Sequence, residues 1–148
     1  MPGKTIINEI MTKDLFTVQI DDKVLLADEI MKTQKVKHVP VLEGKKLVGV
    51  ISDRGLKEYT LKQLYSFEDP LPDSARNRII DFQSIMDKDI RVIYPEDGVL
   101  KAVEIMLKKK AGCLPVVDWS KNLVGMLTHT DVLLYLHGKL IEFTGRDL

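Results

Sequence analysis

The sequence predicts an α/β protein of the α+β type, made of two β-α-β-β-α repeats that close on each other. The phrase LVGVISDRGL at 47–56 returns as LVGMLTHTDVL at 123–133. A shift of 75 positions aligns residues 10–41 with residues 85–116 without a gap and gives fourteen identities in thirty-two positions. In both copies, residues at helical spacing precede two short apolar runs, which is typical of a helix followed by a strand pair.

Each repeat is predicted to open with a short strand followed by an amphipathic helix. Apolar residues recur at helical spacing in both helices, as Val24, Ala27 and Met31 do in the first. An Asp stands just before each helix, where its carboxylate is expected to cap the first free amides. The predicted strands are 15–19 and 90–94, the helices are 23–34 and 98–110, and the capping residues are Asp21 or Asp22, and Asp97.

A strand pair and a second helix complete each repeat. The strands are HVPVLE and KLVGVIS in copy one, and CLPVVD and NLVGMLT in copy two, and each pair is joined by a polar turn. The second helix is predicted to start near Ser52 and Thr128. We expect the repeats to pack together as one module. The predicted organisation is repeat 1 at 7–65, a connector at 66–83, repeat 2 at 84–138 and a C-terminal tail at 139–148. A helical turn is predicted in ARNRIIDFQSIM, before the second repeat.

Composition favours a cytoplasmic protein without a metal site. The 148 residues carry 22 basic and 22 acidic side chains, and this balance argues against nucleic acid or an anionic membrane as a partner. The chain has one cysteine and three histidines, whose spacing matches no zinc motif. We recognise neither an export signal nor an apolar run long enough to span a membrane.

A family resemblance rests on the proline-containing strands HVPV and LPVV, the strand ends LVGVIS and LVGMLT, and the helices that follow them. Through these motifs, residues 7–138 resemble a tandem pair of CBS domains. The resemblance implies that the two repeats are related by a pseudo-two-fold axis. It further implies two clefts between the repeats that bind an adenosine-containing effector, such as AMP, ADP, ATP or S-adenosylmethionine. It also implies a homodimer with the shape of a flat disc, and a regulated partner protein that the sequence does not identify.

The predicted function is that of a regulatory sensor module, with a ligand-free dimerisation or interaction scaffold as the alternative. An enzyme is not expected, because the sequence contains no recognisable catalytic constellation. Cys113 and His38 occupy equivalent positions in the two repeats. A nucleophilic pair made of them would need an orienting acid, and the sequence supplies none.

Asp131 is the centre of the predicted binding site. In the family pattern G-h-h-(S/T)-x-x-D, the acid is implied to hold the ribose hydroxyls, while the Ser or Thr marks a helix N-terminus that favours phosphate. Copy two matches the pattern with Gly125, Thr128 and Asp131, whereas copy one has Gly55 at the acidic position and is predicted to bind weakly or not at all. Thr128 and Asp131 also fit a capping box that needs no ligand. Both interpretations stay open.

The remaining predicted contacts come from both repeats. The loop KVKHVP of copy one is expected to meet the phosphates, because it offers several positive donors within one turn. Apolar strand residues of copy two are expected to hold the adenine, although alternating apolar residues in a strand more often belong to the core. The phosphate set is Lys35, Lys37, His38 and Pro40; the adenine set is Val92, Ile93, Tyr94 and Met126; the weaker cleft has Ser52, Thr17, Val18, Gly112 and Cys113.

Overall fold

The computed structural model describes residues 5–65 and 85–145, without the side chains of residues 60–65. The chain divides into two compact units. We call Phe16–Ile90 unit A, and the combination of Met1–Leu15 with Arg91–Leu148 unit B. The predicted connector at 66–83 lies outside the described residues, and so does almost all of the helical turn predicted for ARNRIIDFQSIM.

The described residues form an α+β structure, as predicted. Among the described helices, none is both long enough and apolar enough to cross a membrane. The elements in chain order are α1 (Ile7–Ile10), β1 (Val18–Gln19), α2 (Val24–Gln34), β2 (His38–Glu43), β3 (Lys46–Ser52), α3 (Asp53–Tyr65), α4 (Val99–Lys109), β4 (Cys113–Val117), β5 (Leu123–Thr128) and α5 (His129–Thr144).

Unit A is a three-stranded sheet covered by α2 and α3. Its strands lie in the order β1-β2-β3, with β1 parallel to β2 and β2 antiparallel to β3. Alternate residues of the strands point into the core, where they meet the apolar face of each helix. The buried core residues are Val18, Ala27, Met31, Val39, Val41, Ile51 and Leu56.

Unit B pairs β4 with β5 and takes its first helix from the start of the chain. Strands β4 and β5 are antiparallel, and α1 packs against them although it belongs to the first repeat in sequence. The Ile7 side chain of α1 is fully buried in the core of this unit. The compact units therefore do not coincide with the sequence repeats, because residues 5–15 join the second repeat and residues 85–90 join the first.

The leading segment of repeat 2 is not a full strand, which corrects the prediction for 90–94. Only Ile93 pairs with β4, through a parallel bridge to Val116. Two main-chain hydrogen bonds of 3.0 Å hold it there, from Ile93 N–H to Pro115 O and from Val117 N–H to Ile93 O. At the other end of the repeat, residues 139–144, which we assigned to the tail, continue helix α5.

The predicted helix caps are also corrected. Helices α2 and α4 have Lys23 and Gly98 as N-caps, and neither forms a side-chain capping hydrogen bond. The Asp carboxylates turn back instead to main-chain N–H groups three residues earlier, because the turn that precedes each helix brings those donors closer. These hydrogen bonds join Asp22 to Gln19 at 2.8 Å and Asp97 to Tyr94 at 2.9 Å.

Two glycines, Gly49 in β3 and Gly125 in β5, make room for methionines from segments 85–90 and 5–15. We call these the exchanged segments, because each belongs to one repeat in sequence and to the unit of the other repeat. A methyl group at Gly125 would overlap the thioether of Met11, and one at Gly49 would overlap the thioether of Met86. Gly125, which belongs to the motif G-h-h-(S/T)-x-x-D, thus admits a side chain of residues 5–15. Because Met11 and Met86 are repeat equivalents, both units close in the same way.

Substitution of these glycines should destabilise the fold to different degrees. At Gly125 the three atoms nearest to a Cβ all belong to the flexible Met11 side chain, whereas at Gly49 a Cβ also comes within 3.2 Å of the Asp87 carbonyl oxygen. We expect Gly125→Ala to lower the free energy of unfolding by about 1 kcal/mol and Gly49→Ala by up to about 3 kcal/mol, measured by urea denaturation.

A matched control is Gly138→Ala, since a Cβ at this helical position meets nothing within 4 Å. This substitution should stabilise the protein by about 0.5–1 kcal/mol through helix propensity. In a Met11→Ala background, Gly125→Ala should cost little. An equal loss in both backgrounds would contradict the explanation.

Candidate functional site

Asp131 lies in the first turn of α5, directly after β5 ends at Thr128. The Thr128 hydroxyl accepts a hydrogen bond from the Asp131 N–H at 3.3 Å, and the Thr128 N–H donates to Asp131 Oδ2 at 2.9 Å. The capping box predicted for these residues is therefore present. Both residues are half-buried. Any ligand at Asp131 must bind a carboxylate that already caps a helix.

A further donor reaches Asp131 from the exchanged segment 5–15. The Thr12 hydroxyl donates to Asp131 Oδ1 at 2.9 Å and lies 3.2 Å from Oδ2. Thr12 was missed by the sequence prediction. The repeat alignment did contain a signal, since the counterpart of Thr12 is Asp87 although the residues on both sides are identical in the two copies.

The Asp131 carboxylate keeps capacity for a ligand. An ionised carboxylate has about four lone-pair positions. The Thr12 hydroxyl fills one position on Oδ1 at 2.9 Å, while the Thr128 N–H and the Thr128 hydroxyl reach Oδ2 at 2.9 and 3.2 Å. The remaining position on Oδ1 can accept a ligand hydroxyl, and Oδ2 can accept a second one when the Thr128 hydroxyl donates elsewhere. Two adjacent oxygens suit two adjacent hydroxyls of a sugar.

The residues predicted to hold adenine are separated by the structure. The Ile93 side chain is fully buried and Met126 is 6% exposed, so both serve the core of unit B. Val92 is half-buried. Tyr94 follows Ile93 towards the Val117 end of β4, whereas Thr128 and Asp131 lie at the Cys113 end, about 13 Å away along the strand.

Tyr94 is therefore removed from the site around Asp131, which corrects that prediction. Its ring is stacked on Trp119 instead, with 4.5 Å between the ring centroids and 16° between the planes. Trp119 belongs to the turn after β4 and is 79% exposed. The aromatic pair thus marks the opposite end of the strand pair from Asp131.

The residues predicted to meet phosphates lie in unit A. Lys35 ends α2 in the left-handed conformation, with φ of 54°, and both Lys35 and Lys37 are exposed. They line a cavity of about 1010 Å³ between α2 and α3, and neither forms an ion pair with any described residue. The other lysines of this cavity are paired, Lys32 with Asp28 at 2.9 Å and Lys57 with Asp53 at 3.2 Å.

His38 contributes a neutral ring rather than a positive charge to this loop. Burial lowers the pKa of His38 below 6.5, and the neighbouring Lys37 ammonium lowers it further, while Asp53 opposes the shift. The positive charge predicted for the loop therefore comes from Lys35 and Lys37. Pro40 lies further along β2 and is fully buried, so its side chain belongs to the core.

The residues of the predicted weaker cleft are divided between the units. In unit A, Ser52 Oγ accepts from the Gly55 N–H at 2.9 Å, Thr17 is half-buried, and Val18 is buried in the core. In unit B, the Gly112 carbonyl oxygen accepts from the His129 N–H at 3.3 Å. Cys113 follows as the first residue of β4, and burial raises the pKa of its thiol to about 11.

Clusters of three or more His, Cys, Asp or Glu side chains that could hold a metal ion are absent from the described parts of the chain. The candidate binding groups are the hydroxyl and carboxylate groups around Asp131 in unit B and, separately, Lys35 and Lys37 in unit A.

Two regions of the chain, residues 7–62 and 82–138, match the CBS domain family. The protein belongs to the CBS-domain family. A CBS domain-containing protein of Dictyostelium discoideum is 28% identical over 136 residues, covering 88% of this chain and 90% of the relative. Inosine-5'-monophosphate dehydrogenase of Methanocaldococcus jannaschii is 29% identical over 127 residues, but those cover 85% of this chain and only 22% of the enzyme.

Solved CBS-domain structures share the fold. CBSX2 in complex with AMP superposes with a TM-score of 0.74 and 25% identity, covering 90% of this chain and 96% of CBSX2. The CBS domain pair of protein MJ0100, in complex with 5'-methylthioadenosine and S-adenosyl-L-methionine, has a TM-score of 0.73 and 20% identity. The alignment covers 93% of this chain and 99% of that pair. The tandem CBS fold predicted from the repeats is confirmed.

The Cys113 thiol should be unreactive in the folded protein. Raising its pKa from 9.0 to about 11 leaves about a hundredfold less thiolate at any pH below both values. A chromogenic aromatic disulfide should therefore label Cys113 at least about a hundredfold faster in urea than in buffer. Comparable rates for the folded and unfolded chains would contradict this expectation.

The lowered pKa of His38 should make stability depend on pH. Below about 6.5 the unfolded chain binds a proton at His38 more readily than the folded one. The contribution of neutral His38 is thus complete above that pH and is lost as the pH falls through the folded pKa. From about pH 8 to about pH 5, the wild type should lose more unfolding free energy than His38→Asn. Parallel losses would refute the assignment.

Proposed function

We propose that this chain is a regulatory module that binds an adenosine-containing effector, namely AMP, ADP, ATP or S-adenosylmethionine. The Asp131 carboxylate receives the ribose hydroxyls, and Lys35 and Lys37 attract the phosphates or another anionic group. Support comes from family membership and from CBSX2 and the MJ0100 pair, which hold adenosine compounds. The effector binds one conformation of the module better than another, and this shift in conformation changes how the module acts on a partner protein.

The observation that carries the proposal is the geometry of Asp131. Its carboxylate is held at a helix N-terminus by Thr12 and Thr128, and Oδ1 keeps an acceptor position beside its hydrogen bond from Thr12. A carboxylate held in this way loses little side-chain freedom when a ligand binds, which favours affinity. The equivalent position in unit A is Gly55, which offers no acceptor, so we propose one strong site and one weak or silent site per chain.

A ligand-free association scaffold remains the second candidate, because helix α5 presents an apolar stripe. Within its described length of 16 residues, no side chain is buried. Leucines and one phenylalanine recur at helical spacing along one face and remain largely exposed, a pattern that marks an interaction surface. The stripe comprises Leu133 (62% exposed), Leu136 (47%), Leu140 (51%) and Phe143 (89%). A homodimer through this stripe is compatible with either function.

A titration of AMP, ADP, ATP, S-adenosylmethionine and NAD by calorimetry and thermal shift distinguishes the two candidates. A ligand at a hundred times its Kd should add about 2.7 kcal/mol to the free energy of unfolding. Asp131→Asn should abolish binding of the responding compound, while Gly55→Ala should leave it intact. If none of the compounds binds, the scaffold is the better account.

Lys35 and Lys110 offer a matched pair of variants for the phosphate contact. Both end the first helix of their repeat in the left-handed conformation, with φ of 54° and 52°. Glycine relieves the strain of this conformation, so Lys35→Gly and Lys110→Gly should each stabilise the fold by up to about 1 kcal/mol.

Only Lys35→Gly should weaken binding of ATP, by about tenfold, because it removes a charge from the proposed phosphate loop. Calorimetric titration of both variants with ATP checks this difference. An equal effect of the two variants on the Kd would remove Lys35 from the site.

A further inference from the structure

The same pair of main-chain hydrogen bonds occurs at equivalent positions of the two units. In unit B, Thr12 and Met126 exchange two main-chain hydrogen bonds of 2.9 Å each. In unit A, Asp87 and Val50 exchange hydrogen bonds of 2.8 and 3.1 Å. These pairs are also equivalent in the repeat alignment. The Asp87 side chain therefore leaves the main chain at the place that Thr12 occupies in the other unit.

The helix position opposite this segment differs as well. The counterpart of Asp131 is Gly55, whose N–H donates to Ser52 Oγ at 2.9 Å, so unit A keeps the hydroxyl half of the cap and lacks the acid. Asp87 is exposed, and its Oδ1 accepts from the Asp89 N–H at 3.1 Å. Unit A thus has a carboxylate where unit B has a hydroxyl, and no side chain where unit B has a carboxylate.

We propose that Thr12 is a positioning residue for the Asp131 carboxylate, and that the equivalent site of unit A is silent because Asp87 and Gly55 replace this pair. The inference rests on the proposed binding of an adenosine ligand at Asp131. The Thr12 hydroxyl donates to one oxygen and the Thr128 N–H to the other, which fixes the rotation of the carboxyl group. An ionised Asp87 cannot donate, and its charge repels an anionic ligand.

The first test uses Thr12, which is exposed and therefore tolerant of substitution. In calorimetric titrations with AMP and ATP, Thr12→Val should weaken binding about tenfold, because the carboxylate loses its side-chain donor. Thr12→Ser keeps the hydroxyl and should bind within about twofold of the wild type. If the threonine methyl mattered instead of the hydroxyl, Thr12→Ser would weaken binding and Thr12→Val would not.

Wild-type affinity in Thr12→Val would overturn the inference while leaving the proposed function standing. If ADP or S-adenosylmethionine is the compound that the wild type binds, the same variants are titrated with that compound. Failure of the wild type itself to bind any of AMP, ADP, ATP and S-adenosylmethionine would instead overturn the proposed function, and this inference with it.

The second test rebuilds the missing pair in unit A. A Cβ at Gly55 would lie 3.1 Å from Ser52 Oγ, a contact that a small rotation of the serine relieves. Unit B already contains the same arrangement, with Asp131 beside the Thr128 hydroxyl. The double variant Gly55→Asp with Asp87→Thr should therefore bind a second AMP per chain.

The single variants serve as controls for this gain. Gly55→Asp alone should add no second AMP, because its carboxylate would face that of Asp87 and the like charges repel. Asp87→Thr alone supplies a donor without an acid and should add none either. A second AMP bound by the Gly55→Asp single variant, or none bound by a double variant that melts as cooperatively as the wild type, would overturn the inference.

Discussion

Main-chain pairing between Thr12 and Met126 joins the start of the chain to the second repeat. It seats the Met11 side chain in the space left by Gly125 and brings the Thr12 hydroxyl to Asp131. In unit A, Asp87 of the second repeat forms the equivalent pair of main-chain hydrogen bonds with Val50 of the first. Each unit is therefore complete only when a segment from outside its own repeat is in place. A substitution in residues 5–15 therefore alters the surroundings of Asp131, and one in residues 85–90 alters those of Gly55.

This constraint separates the fold from the chemistry. The pair of main-chain hydrogen bonds, the glycine and the methionine recur in both units, so the positions that form the candidate site differ in their side chains. The Asp131 carboxylate is oriented before any ligand arrives, because its donors are the helix cap and the exchanged segment. Preorganised groups of this kind contribute affinity by reducing the entropy lost on binding. The binding asymmetry that we propose thus requires no difference in fold.

The sequence predicted the bounds of the helices and strands better than the contacts between distant parts of the chain. Strands β2 and β3 begin and end where the apolar runs do, because polar turn residues bound those runs on both sides. The site was predicted in part, since the Thr128–Asp131 pattern is local and Thr12 lies 119 positions from Asp131. Periodicity reports which face of a segment is apolar and not which unit covers it, so the exchange of residues 5–15 was not foreseen. Tyr94 was misplaced for a similar reason, because its stacking partner Trp119 lies in a turn without periodic pattern.

The central claim is that the Asp131 carboxylate binds the two hydroxyls of a ribose. A direct measurement compares, by calorimetry on the wild-type chain, the adenosine compound of highest affinity with its 2′,3′-dideoxy counterpart. Hydrogen bonds to a charged group contribute about 1.5–3 kcal/mol each, so the dideoxy compound should bind at least about tenfold more weakly. Equal affinities for the two compounds would show that the sugar hydroxyls are not held by a carboxylate and would contradict the account.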